Sequence, residues 1–484
     1  MNKKTFFITT AIDYPSAKVH LGHALEKVQA DVIARYKKLQ RFDVYFSTGV
    51  DQHGLKIERY AQKAGKNPQE FVDEMSKYFK DAWDALNISY DDFIRTTEKR
   101  HKKVVQEIIK KIYKKGDIYK GKYKGLYCVD CESYYLPKDL ENGNCPIHHK
   151  PVETIEEETY FFRMSKYQKT LINHIKKNKN FIIPGTKRKE ILTRLKEPLQ
   201  DLSISRTAVE WGISLPFDKK LTLFVWVDAL INYLTTINYP NEKFKEFWPA
   251  DIHVIGKDII WHHSVIWGSL LLSLGLPLPK TIFIHGFITS DGQKMSKSLG
   301  NVINPFDLVE KYGTDAVRYF LLREITPTED GDYTCHKFEE RYNSDLASGL
   351  GNLVARVVKL GNGKNLEPTG IINEELQSKV YETWECYQKT LDGFKFNESL
   401  GSIWELISFC DKYIEKEKPW EESQNQMSVI NDLLIVIANI VQMLQVFLPE
   451  ASEKICKQLG IKISDKEWHF KIKKGKSLFP RLNS

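Results

Sequence analysis

Residues 4–25 read KTFFITTAIDYPSAKVHLGHAL, and the order of patterns inside this stretch decides the fold. KTFFITTAI (4–12) is a run of aromatic and β-branched residues, the composition of a buried strand. A short turn containing Pro15 follows. Leu21, Leu25, Val28, Val32, Tyr36 and Leu39 then recur every three or four residues, the period of an amphipathic helix. DVYFST (43–48) is strand-like again. Strand, helix and strand in that order make a βαβ unit, so the sheet is expected to be parallel.

Further strand signals lie far downstream, in LFVWV (223–227), IHVIG (252–256) and TIFIHGFI (281–288). The expected fold is therefore α/β, a doubly wound parallel sheet assembled from two separated segments. Between them, residues 116–221 are rich in Gly, Lys, Tyr and Cys and have the texture of an inserted module. From Asn343 onward the pattern is helical to the C-terminus, with LIVIANIVQMLQVFL (434–448) its most apolar part, which predicts an all-α bundle. The expected divisions are 1–115 and 222–280 for the two halves of the sheet domain, 116–221 for the insertion, 281–342 for a connecting region and 343–484 for the bundle.

Composition sets the outer bounds. The 484 residues, 42% hydrophobic and 28% charged, suit a globular protein of two or more domains. A net charge of +8 permits an anionic partner without requiring one. The N-terminus, MNKKTFFITTAI, lacks the apolar core and cleavage site of a secretory signal. The apolar stretch 429–448 carries Asn431, Asp432, Asn439, Gln442 and Gln445, which argues for a buried helix over a membrane span. A soluble, cytoplasmic protein is expected. The Lys-rich run KIKKGKS (471–477) is read as a solvated end.

Seven cysteines are too few and too odd in number for a disulfide scaffold. Three of them fall in CVDCESYYLPKDLENGNCPIHHK (128–150). Cys128 and Cys131 form a CxxC pair, and Cys145 and His148 a CxxH pair after 13 intervening residues. Four such ligands suit a tetrahedral Zn²⁺ with no open position, a structural site. His149 is the competing fourth ligand, and His148 is preferred because its spacing repeats that of the first pair. The plainer alternative, core cysteines, fits poorly with charged and Gly-rich neighbours.

Two further motifs carry chemistry. GQKMSKSLGN (292–301) places Lys294 and Lys297 beside Ser296 and Ser298 in a Gly-flanked loop after a strand. Such a loop can close over a polyphosphate, although a solvated loop is the common default. HLGH (20–23) follows the first strand at a helix start, where ligands of parallel sheets bind and negative charge is favoured. His20 and His23 can donate to phosphate oxygens, with Gly22 permitting close approach. A metal at this pair would need further ligands, and the best ones are committed to 128–148.

HLGH together with KMSKS is the paired signature of class I aminoacyl-tRNA synthetases, and the surrounding residues resemble the methionyl-tRNA synthetase family. ITTAIDYPSAKVHLGH, STGVDQHGLKI, VWVDALINYL and VIGKDIIWHHSVIW are similar to its catalytic, Rossmann-like domain. HGFITSDGQKMSKSLGNVINPFDLVEKYGTDAVRYFLLRE resembles its signature-loop region, and GNLVAR and YIEKEKPW its anticodon-binding helices. The resemblance covers nearly the whole chain. It implies that Ile12, Tyr14, Trp226, Ala229, Tyr233, Ile259 and His263 line a methionine pocket, with Asp51 on the α-ammonium. It implies ATP bound by His20, Gly22, His23, Lys294, Ser296, Lys297 and Ser298, with Mg²⁺ arriving on the nucleotide. Asn352, Arg356 and Trp420 would read the anticodon of tRNA(Met), initiator tRNA included.

The residues agree in kind, because a thioether needs an apolar aromatic pocket and single-stranded bases are read by stacking plus Arg and Asn hydrogen bonds. Asp13, Gln52 and His262 depart from the family pattern next to the pocket. No further tRNA-binding domain follows the bundle, so a monomer is expected. A synthetase for leucine, isoleucine or valine would need a large editing insertion, and a cysteine-specific relative would hold zinc with widely separated ligands. A catalytically inactive tRNA-binding scaffold is the alternative of a different class.

Overall fold

A computed structural model describes residues 4–482 except 132, 136, 148, 208, 296–299, 365–370, 372, 422–423 and 465–467. Two compact units emerge: residues 1–19, 37–82 and 89–285 form the first, and residues 20–36, 83–88 and 286–484 the second.

The first unit is built on strands β1 (Thr5–Thr10), β2 (Asp43–Val50) and β3 (Asp92–Arg95). The inserted stretch adds β4 (Ile118–Cys128), β5 (Ser133–Tyr135), β6 (Glu153–Phe162), β7 (Ile182–Ile183), β8 (Leu202–Ser203) and β9 (Ser205–Arg206). β10 (Thr222–Leu223), β11 (Ile252–Gly256) and β12 (Thr281–His285) complete the unit. The central sheet has six strands in the order β3-β2-β1-β11-β12-β7, and every pairing in it is parallel. β1 thus sits between strands from the two separated segments, with Ile8 opposite both Phe46 and Ile252. Its residues Phe7, Ile8, Thr9 and Thr10 are completely buried, as expected of a strand covered on both faces.

Three departures from the sequence expectation stand out. β7 lies inside the stretch expected to be a separate insertion, yet it pairs with β12 in the central sheet. LFVWV is not a strand: after two residues of β10 the helix Val225–Leu230 begins. A short apolar run is equally compatible with a strand and a helix buried on all sides, and burial here is nearly complete. TIFIHGFI breaks at Gly286, so β13 (Ile288–Ser290) belongs to another sheet, with β14 (Gln293–Lys294) and β15 (Gly331–Tyr333). A Cβ at Gly286 would collide with the Glu329–Asp330 backbone.

The inserted stretch also holds an antiparallel sheet in the order β5-β4-β6-β8, whose long β4–β6 ladder runs from Ile118 to Tyr127, and the helices Gln168–Lys177 and Gly185–Arg194.

The second unit contains the helix Leu21–Leu39 up to Tyr36, the signature-loop region and the C-terminal helices. Five long helices, Asn352–Gly361, Glu374–Asp392, Phe396–Glu417, Gln426–Leu444 and Pro449–Leu459, form the bundle. Gln426–Leu444 is long and apolar enough to cross a membrane by composition, but most of it is buried against its neighbours. Beyond Gly460 the described chain is irregular, tied by Lys471 N–H to Leu459 and Lys473 N–H to Gln458 and anchored by buried Phe479 against Tyr342. The helical pattern therefore stops short of the expected end, because the Lys- and Gly-rich tail has no apolar face to bury.

A buried cation organises this unit. The Arg318 guanidinium is fully buried, pairs with Asp31 at 2.7 Å and donates to the carbonyls of Leu86, Val446 and Phe447 at 2.8–3.1 Å. Asp31 is held in turn by Arg35 at 2.7 Å. One planar fork thereby ties the HLGH-bearing helix to the segment between the last two bundle helices.

Candidate functional site

HLGH opens the helix Leu21–Leu39 as expected. The rings of His20 and His23 lie 3.8 Å apart, centre to centre. His20 Nδ1 accepts the Gly22 N–H at 3.1 Å, and His23 Nδ1 accepts the His20 N–H at 3.3 Å. Both rings therefore carry a proton on Nε2. Burial pushes His20 down to about 4, so it is neutral at pH 7. A Cβ at Gly22 would sit 3.0 Å from the His20 ring, so glycine also leaves room for that ring to fold back. Leu21 N–H donates to Ile303 at 3.0 Å, which fastens the helix start to the chain just beyond the KMSKS motif. Lys294 is exposed at the end of β14, while Ser296, Lys297 and Ser298 lie outside the described residues.

The expected methionine-pocket residues all belong to the first unit and follow carboxyl ends of sheet strands or sit on the Val225–Leu230 helix and the short helix after it. Tyr233 O–H pairs with His263 Nε2 at 2.7 Å, and His263 Nδ1 donates to the Ile259 carbonyl at 3.0 Å. The other face of Tyr233 stacks on His253 at 4.2 Å. His253 is fully buried and held far below its ordinary value by burial, with His263 adding to the effect. Trp267 closes the group, 5.9 Å from the Tyr233 ring and donating Nε1–H to His253 at 3.3 Å. The result is a packed group of aromatic and imidazole rings, the kind of surround a polarisable thioether favours. Tyr14 is half-buried and donates to the His53 carbonyl at 2.9 Å, Ile12 and Ile259 are half-buried, and Ala229 is buried. Asp51 is buried and accepts from Thr96 at 3.4 Å.

The three departing residues find definite places. The Gln52 amide is consumed by Val72, Ser76, Arg95 and Thr97, so it braces the sheet and does not shape the pocket. Asp13 continues the sheet beyond β1: its N–H donates to Gly49 and its carbonyl accepts from Asp51, both at 2.8 Å. His262 stacks on Trp226 at 3.8 Å and is kept neutral, its value lowered by burial to about 3. It does the work of an aromatic residue.

One group was missed by sequence reasoning. Asp228 is completely buried and accepts from His53 Nδ1 and from His101 Nε2, each at 2.7 Å, while His101 Nδ1 meets Thr235 at 3.0 Å. Burial alone would raise the Asp228 carboxyl, but the two imidazoles, His53 foremost, outweigh it and hold it at about 2. The signal was present: an aspartate inside the apolar run VWVDAL survives burial only if it is paired.

Cys128, Cys131 and Cys145 place their sulfurs within 4.8 Å of one another, with Cys131 and Cys145 at 3.4 Å. Thiolates sharing a tetrahedral zinc at ~2.3 Å lie roughly 3.8 Å apart, so the cluster fits that ion. Burial and the neighbouring Cys145 push the Cys131 thiol upward against the opposing Tyr135 hydroxyl, the state a dication would reverse. His149 turns toward Glu141, 3.6 Å away, and is not part of the cluster among the described residues; His148 lies outside them.

In the bundle, Asn352 is exposed, and Arg356 one turn later is bound by Glu415 at 2.5 Å and Asp411 at 3.6 Å. Trp420, just beyond the helix carrying those carboxylates, is 49% exposed.

Similarity to known proteins agrees with this geometry. The family model for tRNA synthetases class I (M) matches residues 6–151 and 131–358, and that for the anticodon-binding domain of tRNA ligase matches 373–479. The chain belongs to the class I aminoacyl-tRNA synthetases. A methionine–tRNA ligase from Clostridium perfringens is 45% identical over 508 residues, spanning 100% of this chain and 79% of the relative. One from Caldanaerobacter subterraneus is 42% identical over 506 residues, with 99% and 79% covered. The solved Mycobacterium tuberculosis methionyl-tRNA synthetase in complex with methionyl-adenylate superposes with a TM-score of 0.94 at 37% identity, covering 99% of this chain and 100% of that one. Within its class, the chain is a member of the methionine–tRNA ligase family.

Proposed function

We propose that this chain joins methionine to tRNA(Met) in two steps, with the site residues divided as follows. The observation that carries the reading is the aromatic group of Tyr233, hydrogen-bonded to His263 and backed by the fully buried His253 and Trp267, which supports an apolar, ring-lined site for a methionine side chain. Ile12, Tyr14, Trp226, Ala229 and Ile259 complete the pocket, and the Asp51 carboxylate takes the α-ammonium.

The methionine carboxylate attacks the α-phosphate of ATP in line, forming methionyl-adenylate and releasing pyrophosphate. His20 and His23 each point Nε2–H at phosphate oxygens, and Lys294, Ser296, Lys297 and Ser298 close on the departing pyrophosphate. Because His20 is neutral, it stabilises developing charge as a fixed dipole and needs no proton transfer. Mg²⁺ arrives with the nucleotide. The terminal ribose hydroxyl of the tRNA, the 2′-OH in this class, then attacks the adenylate carbonyl and expels AMP. Asn352, Arg356 and Trp420 hold the anticodon, of initiator tRNA as well; the Arg356 guanidinium is held beforehand by Asp411 and Glu415. Cys128, Cys131, Cys145 and His148 hold one structural zinc. The protein works as a cytoplasmic monomer.

Methionine-dependent ATP–pyrophosphate exchange tests the reading, with leucine, isoleucine and cysteine as controls. Exchange with methionine is expected. Exchange with another amino acid instead would overturn the specificity, and none with any would favour the inactive scaffold. Lys297→Ala should slow exchange roughly 10²–10³-fold, as loss of one transition-state donor does.

A further inference from the structure

The pocket and the thiolate cluster touch through the backbone of the CxxC turn. Trp226 Nε1–H donates to the carbonyl of Cys131 at 3.3 Å, while its ring face rests on His262 at 3.8 Å. The preceding carbonyl, of Asp130, accepts from Lys56 Nζ at 3.2 Å, and that same ammonium stands 5.5 Å over the Tyr14 ring. Asp130 is itself pinned by Lys150 at 2.6 Å. Two neighbouring carbonyls of one metal-binding turn thus hold two aromatic walls of the proposed pocket, one directly and one through a lysine. The direction of a carbonyl in a CxxC turn is set by the turn, and the turn is set by the two thiolates closing on one ion.

We infer that the Cys128–Cys131 turn is a positioning element for methionine recognition: its Cys131 carbonyl holds Trp226 in the pose that binds methionine, so occupancy of the thiolate cluster and occupancy of the pocket favour each other. This deepens the proposed function and rests on its reading of Trp226 as a pocket wall. Coupling between two sites is reciprocal at equilibrium, so bound methionine must tighten the metal as much as the metal tightens methionine.

The test is an equilibrium competition for zinc between the zinc-loaded full chain and a chromogenic chelator, with and without saturating methionine. Loss of one neutral hydrogen bond corresponds to about a five- to tenfold change in affinity, so methionine should tighten zinc by about that factor. ATP alone should not. Trp226→Phe keeps the ring and removes the donor, so in that variant methionine should leave zinc affinity unchanged. The inference is overturned if methionine does not shift zinc affinity in the wild type, if it shifts it equally in Trp226→Phe, or if ATP alone shifts it as much. Calorimetric titration of methionine into zinc-loaded variants separates the two readings. Trp226→Phe should weaken binding about five- to tenfold, and unchanged binding there overturns the inference. Trp226→Ala removes the ring, and unchanged binding in that variant refutes Trp226 as a pocket wall.

Discussion

Replacing Trp420 by alanine should separate tRNA recognition from amino-acid activation. Trp420 is 49% exposed, so about half of its surface rests on protein. An aromatic side chain of this size buries of order 200 Å² when fully covered, so its half contributes at most ~2–3 kcal/mol at 25 cal/mol/Å². A domain with 5–15 kcal/mol of stability stays about 97% folded or better after that loss. Neither activity should register it. Stacking of one base is worth ~1–3 kcal/mol, which converts to roughly 5–150-fold in kcat/KM for tRNA. The assay is a pair of measurements on one preparation, ATP–pyrophosphate exchange without tRNA and aminoacylation over a tRNA titration. Exchange should hold within twofold while aminoacylation falls in the stated range, with Trp420→Phe in between because it keeps a π-face. A parallel fall in both activities, or a tRNA kcat/KM within twofold of wild type, refutes the assignment.

Asp228→Asn keeps the size of the side chain but removes the charge that two buried imidazoles share, and should destabilise the protein by ~3 kcal/mol or more in urea denaturation; a loss under ~1 kcal/mol would show that the pairing is not sustained by charge. The Asp228 carboxyl titrates lower folded than unfolded, so its stabilisation is complete above about pH 4 and disappears as pH falls toward 2. The sign for His20 is the same in a higher window: its folded value is depressed to about 4, so the unfolded chain takes up the proton first and stability is lost as pH falls from 6.5 toward 4. His20→Asn should flatten that limb of the stability–pH curve, and an unchanged slope would place the effect elsewhere. Arg318→Met should cost the second unit ~3–5 kcal/mol, read as a lowered Tm, and Arg318→Lys should not restore it, because an ammonium cannot reach three carbonyls and a carboxylate as a planar fork does. Full rescue by lysine would refute that geometry.

The parallel sheet was legible because local patterns suffice for it. β-branched runs and a 3.6-residue period identify β1, β2 and the helix between them without reference to the rest of the chain. β11 was equally clear. LFVWV was misleading, since five apolar residues carry no period that tells a strand from a buried helix. β7 was invisible: two isoleucines become a strand only because β12 offers them an edge. At the site, motif spacing picked out the three cysteines that cluster, but the ring of His20 folded back over Gly22 was visible only in the structure. Gln52 stood out as a departure from the family pattern next to the pocket, and its amide is taken up by four partners on other elements.

Sequence alone determined the opening βαβ unit, the metal-binding residue types and the family, because each is written in short runs that can be read without their spatial partners. Tertiary structure decided which polar groups meet: Asp228 with His53 and His101, Arg318 with Asp31, and Trp226 with the Cys131 carbonyl. Those partners lie from 95 to 287 residues apart. No local pattern encodes them, since burying a charge or an N–H is tolerable only when folding delivers its partner.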